Sequence, residues 1–326
     1  MENGPDVSIR DSYGRMDPSE KRAELVRGLE NRPMSLPSRY FYDRRGSRLF
    51  REITRLEEYY PARTEKAILR NVLPGIIPGM DFRELVELGS GDCSKISMVL
   101  ESIPEGSLAE TRYIPVDVSR SAMETSALEL LTRFPGLRIR GIVADFCRQL
   151  DEVPEGRRRL FLLFSGTVGN FEPDEAKSLL KGIADQMEEG DSFIMGVDML
   201  KERSLMEDAY DDIEGVTACF NRNILNVTGG ILSADIPSKC FDHLSFFNDD
   251  ESRMEMHPVA RSDIRIEIPH LEEPLRIRRG ERIHTENSYK YTTGMLEDLA
   301  EGGGMRIMRM FSDCRDWFSL VEMEAS

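Results

Sequence analysis

Five short apolar runs alternate with helical stretches between residues 83 and 200, and this alternation constrains the fold more than any other feature. The runs are LVEL, YIPVDV, LRIRGIVADF, LFLLFSG and SFIMGVDML, at residues 85–88, 113–118, 137–146, 160–166 and 192–200. Three of the intervening stretches have clear helical periodicity. Short buried strands joined by helices are typical of a parallel sheet with helices on both faces. We therefore predict an α/β fold with an open, doubly wound sheet.

The alternation of apolar runs and helical stretches ends after residue 200. Two predicted helices come first, and short strands and turns follow them up to about residue 290. We interpret residues 201–290 as a separate α+β unit that is inserted late in the sheet domain. Two strand-like runs close to the end, at 305–311 and 317–322, predict an antiparallel hairpin that returns to the edge of the sheet.

The first residues show neither of these patterns. Residues 1–18 are polar, and we predict that they form a flexible tail. Helical spacing begins near Ser19, and this start marks the first predicted element of the folded chain.

Charge and composition narrow the choice of partners. The chain has 59 acidic and 43 basic residues and a formal net charge of −16, which disfavours nucleic acids and favours a small-molecule partner. No apolar run approaches the roughly 20 residues of a membrane helix, and the N-terminus lacks a secretory signal. We expect no membrane partner, a cytoplasmic location and a monomer. The five cysteines lack zinc-site spacing, so we expect no metal.

The first predicted strand runs into VELGSGD, and a helix begins near Ser94. Glycines at the carboxyl edge of a parallel strand let a ligand approach the backbone, and the helix N-terminus offers N–H groups. Ser94 stands where a third glycine would complete the dinucleotide fingerprint. Glu87, before the glycines, would repel a pyrophosphate and attract a cationic sulfonium with an amino-acid tail. These features favour S-adenosylmethionine over a nicotinamide dinucleotide as the cofactor.

Two more acids end the next two strands. Asp117 lies 28 residues after Gly89, where a carboxylate can accept both ribose hydroxyls. Asp145 could accept from the adenine amino group while the ring of Phe146 stacks on the base. Each acid could instead form a turn or cap a helix. Acids at the ends of three successive strands are typical of a class I S-adenosylmethionine-dependent methyltransferase, a fold that also has a C-terminal antiparallel hairpin.

The fourth strand leads into SGTVGN at residues 165–170, where a methyltransferase presents its acceptor. Asn170 can accept from an amine and donate to a carboxylate, so it suits a zwitterion. Alternatively, Asn170 caps the helix that is predicted to start near Pro173.

From about Leu36 to its end, the chain resembles the histidine Nα-methyltransferases of ergothioneine biosynthesis, which make trimethylhistidine (hercynine). The resemblance is carried by FYDRRGSRLFREITRLEEYYPARTE, VELGSGDCSK, SGTVGN, AYDDIEGVTACFNRNIL and HTENSYKY. It implies an S-adenosylmethionine-binding methyltransferase domain at 64–200 and 291–326. The substrate-binding domain would comprise 19–63 and 201–290, and S-adenosylhomocysteine would be the second product.

The resemblance assigns residues to each ligand. Tyr59 and Asn170 would bind and aim the α-amine of histidine, and they are the predicted catalytic residues. Tyr210 would bind the carboxylate with the help of Asn170. The implied cofactor positions, besides Glu87, are Gly89, Lys95, Asp117, Asp145 and Phe146.

The imidazole end of the ligand has its own implied contacts. Glu286 and Ser288 would hydrogen-bond the ring, Tyr42 would approach it and Met256 would pack on it. The rings of Tyr42, Phe50, Tyr59 and Phe171 could contact the methylated cation. No general base is named, because no histidine lies in a matched position; the four are His243, His257, His270 and His284.

One loop departs from the family, which usually has a glycine-serine-threonine order where this chain has Ser165, Gly166 and Thr167. Ser165 and Gly166 would therefore change the backbone freedom and the hydroxyl position beside the substrate carboxylate.

Three alternative functions stay open at this point. A methyltransferase for another amino acid, such as a tryptophan derivative, is the first, because related fungal enzymes methylate prenylated tryptophan; Glu286 and Met256 favour histidine. A non-catalytic S-adenosylmethionine-binding protein is the second. A nicotinamide oxidoreductase is the third, and Glu87 counts against it.

Overall fold

The computed structural model describes residues 6–15, 17–269 and 271–326. The strands that it contains are, in chain order, β1 (Val7–Asp11), β2 (Met34–Ser35), β3 (Glu84–Leu88), β4 (Arg112–Asp117), β5 (Arg138–Val143), β6 (Arg159–Leu163), β7 (Ser192–Asp198), β8 (Phe241–Asn248), β9 (Arg253–Ala260), β10 (Ile264–Ile266), β11 (Leu275–Ile277), β12 (Ile283–His284), β13 (Glu286–Tyr289), β14 (Met305–Ser312) and β15 (Phe318–Ala325).

The helices follow the periodic stretches of the sequence. They are α1 (Pro18–Glu30), α2 (Arg44–Ile53), α3 (Tyr60–Ile76), α4 (Ser94–Glu101), α5 (Arg120–Arg133), α6 (Pro173–Ala184), α7 (Arg203–Asp208), α8 (Val216–Leu232) and α9 (Thr293–Gly302). No helix of the described ranges is both long enough and apolar enough to cross a membrane.

Two compact units divide the chain. Of the described residues, unit 1 takes in 6–15, 61–200 and 289–326, and unit 2 takes in 17–60, 201–269 and 271–288. Except at the N-terminal tail, the domain boundaries expected from the sequence lie within three residues of these. Which ligand each unit binds stays a prediction.

Unit 1 is built on one large sheet with the strand order β1-β5-β4-β3-β6-β7-β15-β14. The strands from β5 to β7 are parallel, as the alternation of apolar runs and helices predicts. The final hairpin is antiparallel and joins the sheet through β15 beside β7. The predicted class I α/β sheet with a C-terminal hairpin is therefore confirmed.

Both faces of the central strands of this sheet are covered, so β3 to β7 are largely apolar on both sides. Side chains alternate along a strand, and Val86 of β3 packs in one core with Leu180 of α6. Its neighbour Leu85 packs in a second core with Tyr113 of β4 and Leu69 of α3. Because parallel strands end at a common edge, this arrangement brings the residues that follow β3, β4 and β5 together.

The predicted flexible tail is wrong for part of residues 1–18. Val7–Asp11 forms β1, which runs parallel to β5 with Val7 opposite Ile139 and Asp11 opposite Val143. An edge strand needs only a backbone partner, and most of these side chains are exposed, so no apolar run marks the strand in the sequence. Residues 1–5 and 16, also part of the predicted tail, lie outside the described residues.

Unit 2 combines helices with small sheets, as expected for its inserted part. The strands β13, β9 and β8 form one sheet in that order, β10 pairs with β11, and β12 pairs with β2. Asp43 caps α2 by accepting from the Gly46 N–H at 2.7 Å. The same carboxylate accepts from the Asn223 side-chain amide at 2.8 Å and so ties α2 to α8. A Cβ at Gly46 would lie 1.6 Å from the Phe41 carbonyl oxygen, so this turn requires glycine.

Candidate active site

The loop after β3 lies at the carboxyl edge of the large sheet. Gly89 and Gly91 have φ values of +71° and +48°, a region that glycine adopts without strain. The Gly91 N–H donates to Asp117 Oδ2 at 2.9 Å, which ties this loop to the end of β4. The loop thus exposes backbone beside a carboxylate, as a nucleoside-binding loop requires.

The Asp117 carboxylate accepts hydrogen bonds from the backbone of two turns and still has acceptor positions for a ligand. Its Oδ1 accepts from the Ser119 N–H at 2.7 Å, in addition to the bond from Gly91. Burial raises the pKa of Asp117, and these two backbone bonds oppose the rise. An ionised carboxylate offers about four acceptor positions, so two remain for a pair of ribose hydroxyls.

Aromatic side chains stand beside the same loop. The Phe146 ring lies 3.5 Å from the position that a Cβ would take on Gly89, and it meets Phe171 edge-on with centroids 6.2 Å apart. Asp145, which precedes Phe146, is 6% exposed and accepts from the Cys147 N–H at 3.2 Å. The pair of residues predicted to recognise adenine therefore follows β5 with its ring directed at the glycine loop.

Glu87 is more deeply buried than expected for a side chain that attracts the cofactor's sulfonium. It is 2% exposed, and its Oε2 accepts from the Tyr113 hydroxyl. Burial raises the pKa of Glu87 to about 8, although the bond from Tyr113 acts in the opposite direction. Near neutral pH the carboxyl group is largely protonated, so the expected attraction for a sulfonium requires loss of that proton.

Lys95 and Ser165 are joined through a residue that the sequence analysis missed. Glu65 in α3 is fully buried; its Oε2 pairs with Lys95 Nζ at 2.5 Å and its Oε1 accepts from the Ser165 N–H at 2.8 Å. Lys95 also donates to the Ser165 hydroxyl. The sequence did contain a sign that Glu65 is buried. It lies one helical turn before the buried Ile68 and Leu69, on the apolar face of α3.

The loop that carries Asn170 follows β6. Thr167–Asn170 forms a short 3-10 turn, and the preceding Gly166 has a φ of +64°. The residue at the N-cap of α6 is Glu172, whose N–H donates to Glu175 Oε2 at 3.1 Å. Asn170 is therefore not the cap of α6, and the alternative reading of this asparagine loses its main support.

A chain of rings runs through unit 2. Tyr42 meets Phe50 edge-on at 5.8 Å, Phe50 meets Tyr59 at 6.4 Å, and Tyr59 meets Tyr210 at 6.2 Å. Phe220 of α8 contacts both Tyr42 and Phe50 at 5.9 Å. The short motifs around residues 42, 59 and 210 thus converge, although they are far apart in the sequence.

Hydrogen bonds extend this cluster to the predicted imidazole-binding residues. The Tyr210 hydroxyl donates to Ser288 Oγ at 2.7 Å. The Tyr210 carbonyl accepts from His243 Nε2 at 2.8 Å, and His243 Nδ1 lies 2.9 Å from the amide nitrogen of Asn221. Burial lowers the pKa of His243, which fits a neutral ring that donates at one nitrogen and accepts at the other.

The same network reaches Met256. Thr285 Oγ1 lies 2.7 Å from Asn221 Oδ1 and 2.9 Å from the Met256 carbonyl oxygen, so its one proton is shared between these two acceptors. Met256 is 2% exposed, and Glu286, next to Thr285, begins β13. Sequence reasoning missed His243, Asn221 and Thr285; two of them lie within motifs that carry the resemblance.

One cluster of unit 2 has donor atoms at metal-like spacing. One donor atom from each of Glu255, His257 and His284 lies within 4.8 Å of the others. Burial alone would raise the pKa of Glu255, but hydrogen bonds from Asn248, His257 and Arg253 hold it at about 2. Since three donors already use its oxygens and the Arg253 guanidinium supplies the positive charge, we interpret the cluster as structural. His270 lies outside the described residues.

Each unit thus gathers its own set of predicted ligand residues. Unit 1 holds Glu87, Gly89, Lys95, Asp117, Asp145, Phe146, Ser165, Gly166 and Asn170, and unit 2 holds Tyr42, Tyr59, Tyr210, Met256, Glu286 and Ser288. Their individual roles remain predictions.

Comparisons with known proteins show the family of this chain. A family model described as a histidine-specific, S-adenosylmethionine-dependent methyltransferase matches residues 21–325. The histidine N-alpha-methyltransferase of Mycolicibacterium smegmatis is 38% identical, with coverage of 86% of this chain and 88% of its own. That of Mycobacterium tuberculosis is 36% identical, with coverage of 90% and 91%.

A solved structure supports the fold alone. Mitomycin 7-O-methyltransferase MmcR is 15% identical, with a TM-score of 0.50 and coverage of 95% of this chain and 67% of that chain. The family match spans nearly the whole chain and includes both units. The protein therefore belongs to the family of histidine-specific, S-adenosylmethionine-dependent methyltransferases.

Proposed function

We propose that this protein transfers methyl groups from S-adenosylmethionine to the α-amine of L-histidine and gives trimethylhistidine, the hercynine of ergothioneine biosynthesis. Family membership supports the reaction. The observation that carries the substrate assignment is the bond from Tyr210 to Ser288. It joins a residue assigned to the carboxylate of histidine to one assigned to its imidazole, so a single network addresses both ends of one amino acid.

The residues at the edge of the large sheet fit the cofactor. Asp117 keeps acceptor positions for the ribose, Phe146 flanks the glycine loop for the adenine, and Lys95 offers a cation for the cofactor carboxylate. When bound, S-adenosylmethionine supplies an electrophilic methyl group whose sulfur keeps the bonding electrons as the amine nitrogen attacks. The protein's task is then to place that amine in line.

Asn170 and Tyr59 would orient the amine. Asn170 would also hold the carboxylate, together with Tyr210, whose hydroxyl would turn from Ser288 to donate to the ligand. Conversion of an ammonium group to a trimethylammonium group replaces three N–H bonds by three N–CH₃ bonds, so three protons leave the site. Each methylation also removes one N–H that the amine could donate to the protein. The ring chain of Tyr42, Phe50 and Tyr59 can stabilise the growing cation by about 0.5–2 kcal/mol for each contact.

The test is a survey of acceptors. The protein is incubated with S-adenosylmethionine and each of the twenty amino acids, and mass spectrometry detects the addition of one, two or three methyl groups. Histidine should be methylated up to three times, and the control with S-adenosylhomocysteine should give no product. Methylation of tryptophan in preference to histidine would contradict the substrate, and binding of the cofactor without any turnover would favour a non-catalytic binding protein.

The cytoplasmic location and the monomeric state rest on the sequence alone and stay predictions.

A further inference from the structure

The carboxylate of Glu65 contacts both predicted ligand sites of unit 1. Its Oε2 pairs with Lys95, which follows the glycine loop, and its Oε1 accepts from the Ser165 N–H at the start of the SGTVGN loop. Lys95 closes the triangle by donating to the Ser165 hydroxyl. One buried side chain therefore links the cofactor lysine to the acceptor loop.

The surroundings of Glu65 are shaped for a carboxylate. The Glu65 side chain is fully buried, and that of Lys95 is 11% exposed. A buried charge is tolerated only when it is paired and hydrogen-bonded, and both conditions hold here. A Cβ on Gly196 of β7 would lie 2.3 Å from Glu65 Oε1, so the strand leaves room for this group.

The backbone that Glu65 holds is strained. Ser165 has a φ of +69° and Gly166 a φ of +64°, so two successive residues are left-handed. Glycine adopts this conformation freely, but serine does so at a cost. The bonds from the Ser165 N–H to Glu65 and from Lys95 to the Ser165 hydroxyl offset that cost and set the direction of the chain that leads to Asn170.

We propose that Glu65 is a positioning residue that sets the acceptor loop, and with it Asn170, relative to Lys95 and the bound cofactor. This inference rests on the proposed histidine methylation. Glu65 acts through Lys95 and Ser165 and does not itself touch the reacting atoms. Loss of its charge should therefore impair the use of histidine more than the binding of the cofactor.

The main variant is Glu65→Gln, whose amide oxygen can still accept from Ser165 but whose neutral side chain no longer pairs with Lys95. We expect kcat/KM for histidine to fall at least tenfold, while the Kd of S-adenosylmethionine changes less than threefold, because Lys95 keeps its bond to the Ser165 hydroxyl and the cofactor carboxylate becomes its charged partner. The matched control is Asp191→Asn, which breaks the equally buried pair of Arg159 and Asp191 in the same unit. It should lower Tm and leave both ligand constants unchanged.

A double-mutant cycle with Ser165→Gly tests the route of the effect. This change removes both the hydroxyl and the left-handed strain, so it should by itself lower kcat/KM for histidine about threefold or more. In the double variant the two losses should be smaller than additive, because both remove the same linkage. If the losses in kcat/KM from the two single variants add up in the double variant, Glu65 does not act through Ser165 and the proposal is wrong.

Two results for Glu65→Gln would overturn the role: kcat/KM for histidine within twofold of the wild type, or equal losses for both ligands with a fall in Tm like that of Asp191→Asn. If the variant does not fold, Ser165→Gly alone decides, and unchanged kcat/KM for histidine would then overturn the role. Wild-type turnover is measured first. If the wild type does not methylate histidine, the proposed function fails, whereas wild-type turnover combined with an unaffected Glu65→Gln contradicts only the role of Glu65.

Discussion

In unit 1 the predicted ligand residues lie at or just beyond the carboxyl ends of β3, β4, β5 and β6, whereas in unit 2 they come from segments that side-chain contacts bring together. The first arrangement follows from the backbone, because neighbouring parallel strands end at one edge. The second depends on the rings from Tyr42 to Tyr210 and on the bonds from Tyr210 to Ser288 and His243. We infer that a backbone-defined site suits the common cofactor and that a side-chain-defined site suits a choice among substrates.

The largest expected effect tests whether unit 1 has two separable ligand functions. Asn170→Ala removes the group proposed to bind both the amine and the carboxylate, at about 1.5–3 kcal/mol for each bond to a charged group. We expect kcat/KM for histidine to fall by at least about 100-fold and the Kd of S-adenosylmethionine to stay unchanged. Steady-state kinetics and calorimetry measure the two quantities.

The matched control for that variant is Glu175→Gln, which weakens the cap of α6 without touching Asn170. It should lower Tm only. If Asn170→Ala instead weakens both ligands equally, the residue supports the fold and not the substrate.

The next effect concerns the cofactor. Asp117→Ala should weaken S-adenosylmethionine binding by about 1.5–3 kcal/mol, since charge-assisted bonds to the ribose are lost. Because Asp117 also accepts from Gly91 and Ser119, Tm should fall as well. Ser119→Pro removes one of these backbone bonds while it keeps the carboxylate, and serves as the control. Unchanged cofactor affinity in a folded Asp117→Ala protein would exclude the ribose role.

The third prediction concerns substrate choice in unit 2. An imidazole offers N–H donors that suit the half-buried Glu286, whereas the single N–H of an indole lies in a different place, and loss of this match costs on the order of 1–3 kcal/mol. The wild type should prefer histidine over tryptophan by about tenfold or more. Glu286→Ala combined with Met256→Val should enlarge the pocket and reverse that preference in competition assays. Equal loss of both substrates would show that Glu286 does not read the side chain.

The smallest effect is a pH dependence in unit 1. Burial raises the pKa of Glu87 to about 8, and a bound sulfonium favours the ionised form, so binding should release a proton. Affinity for S-adenosylmethionine should rise by up to about tenfold from pH 7 to pH 9, in proportion to the ionised fraction of Glu87. S-adenosylhomocysteine has the same amine but no sulfonium, so its affinity should change less. Glu87→Gln should remove the difference; if calorimetry finds equal slopes for the two ligands in the wild type, Glu87 does not sense the sulfonium.

The same raised pKa affects stability without the cofactor. The folded protein holds a proton on Glu87 more tightly than the unfolded chain does. The contribution of this group to the free energy of unfolding is therefore complete below about pH 4.5 and declines as the pH rises towards 8.

The sequence predicted the central parallel strands of the large sheet, β3 to β7, because each contains a short, mostly apolar run that is largely buried. It did not predict β1, whose side chains are mostly exposed and whose partner is the backbone of β5. It also missed Glu65, since a single acid in a helix does not reveal which charge it will meet. Both omissions concern partners that are distant in the sequence.

The amino-acid sequence by itself determined the class of fold and the cofactor, because strand-end glycines and acids lie at spacings that local backbone structure preserves. The family followed from the resemblance of its longer motifs. Only the tertiary structure decided how these residues are used. It buried Glu87 and so raised its pKa, gave the α6 cap to Glu172 and not to Asn170, and joined Tyr210 to Ser288. Burial and long-range hydrogen bonds arise only when distant segments pack together, so local patterns in the sequence do not predict them.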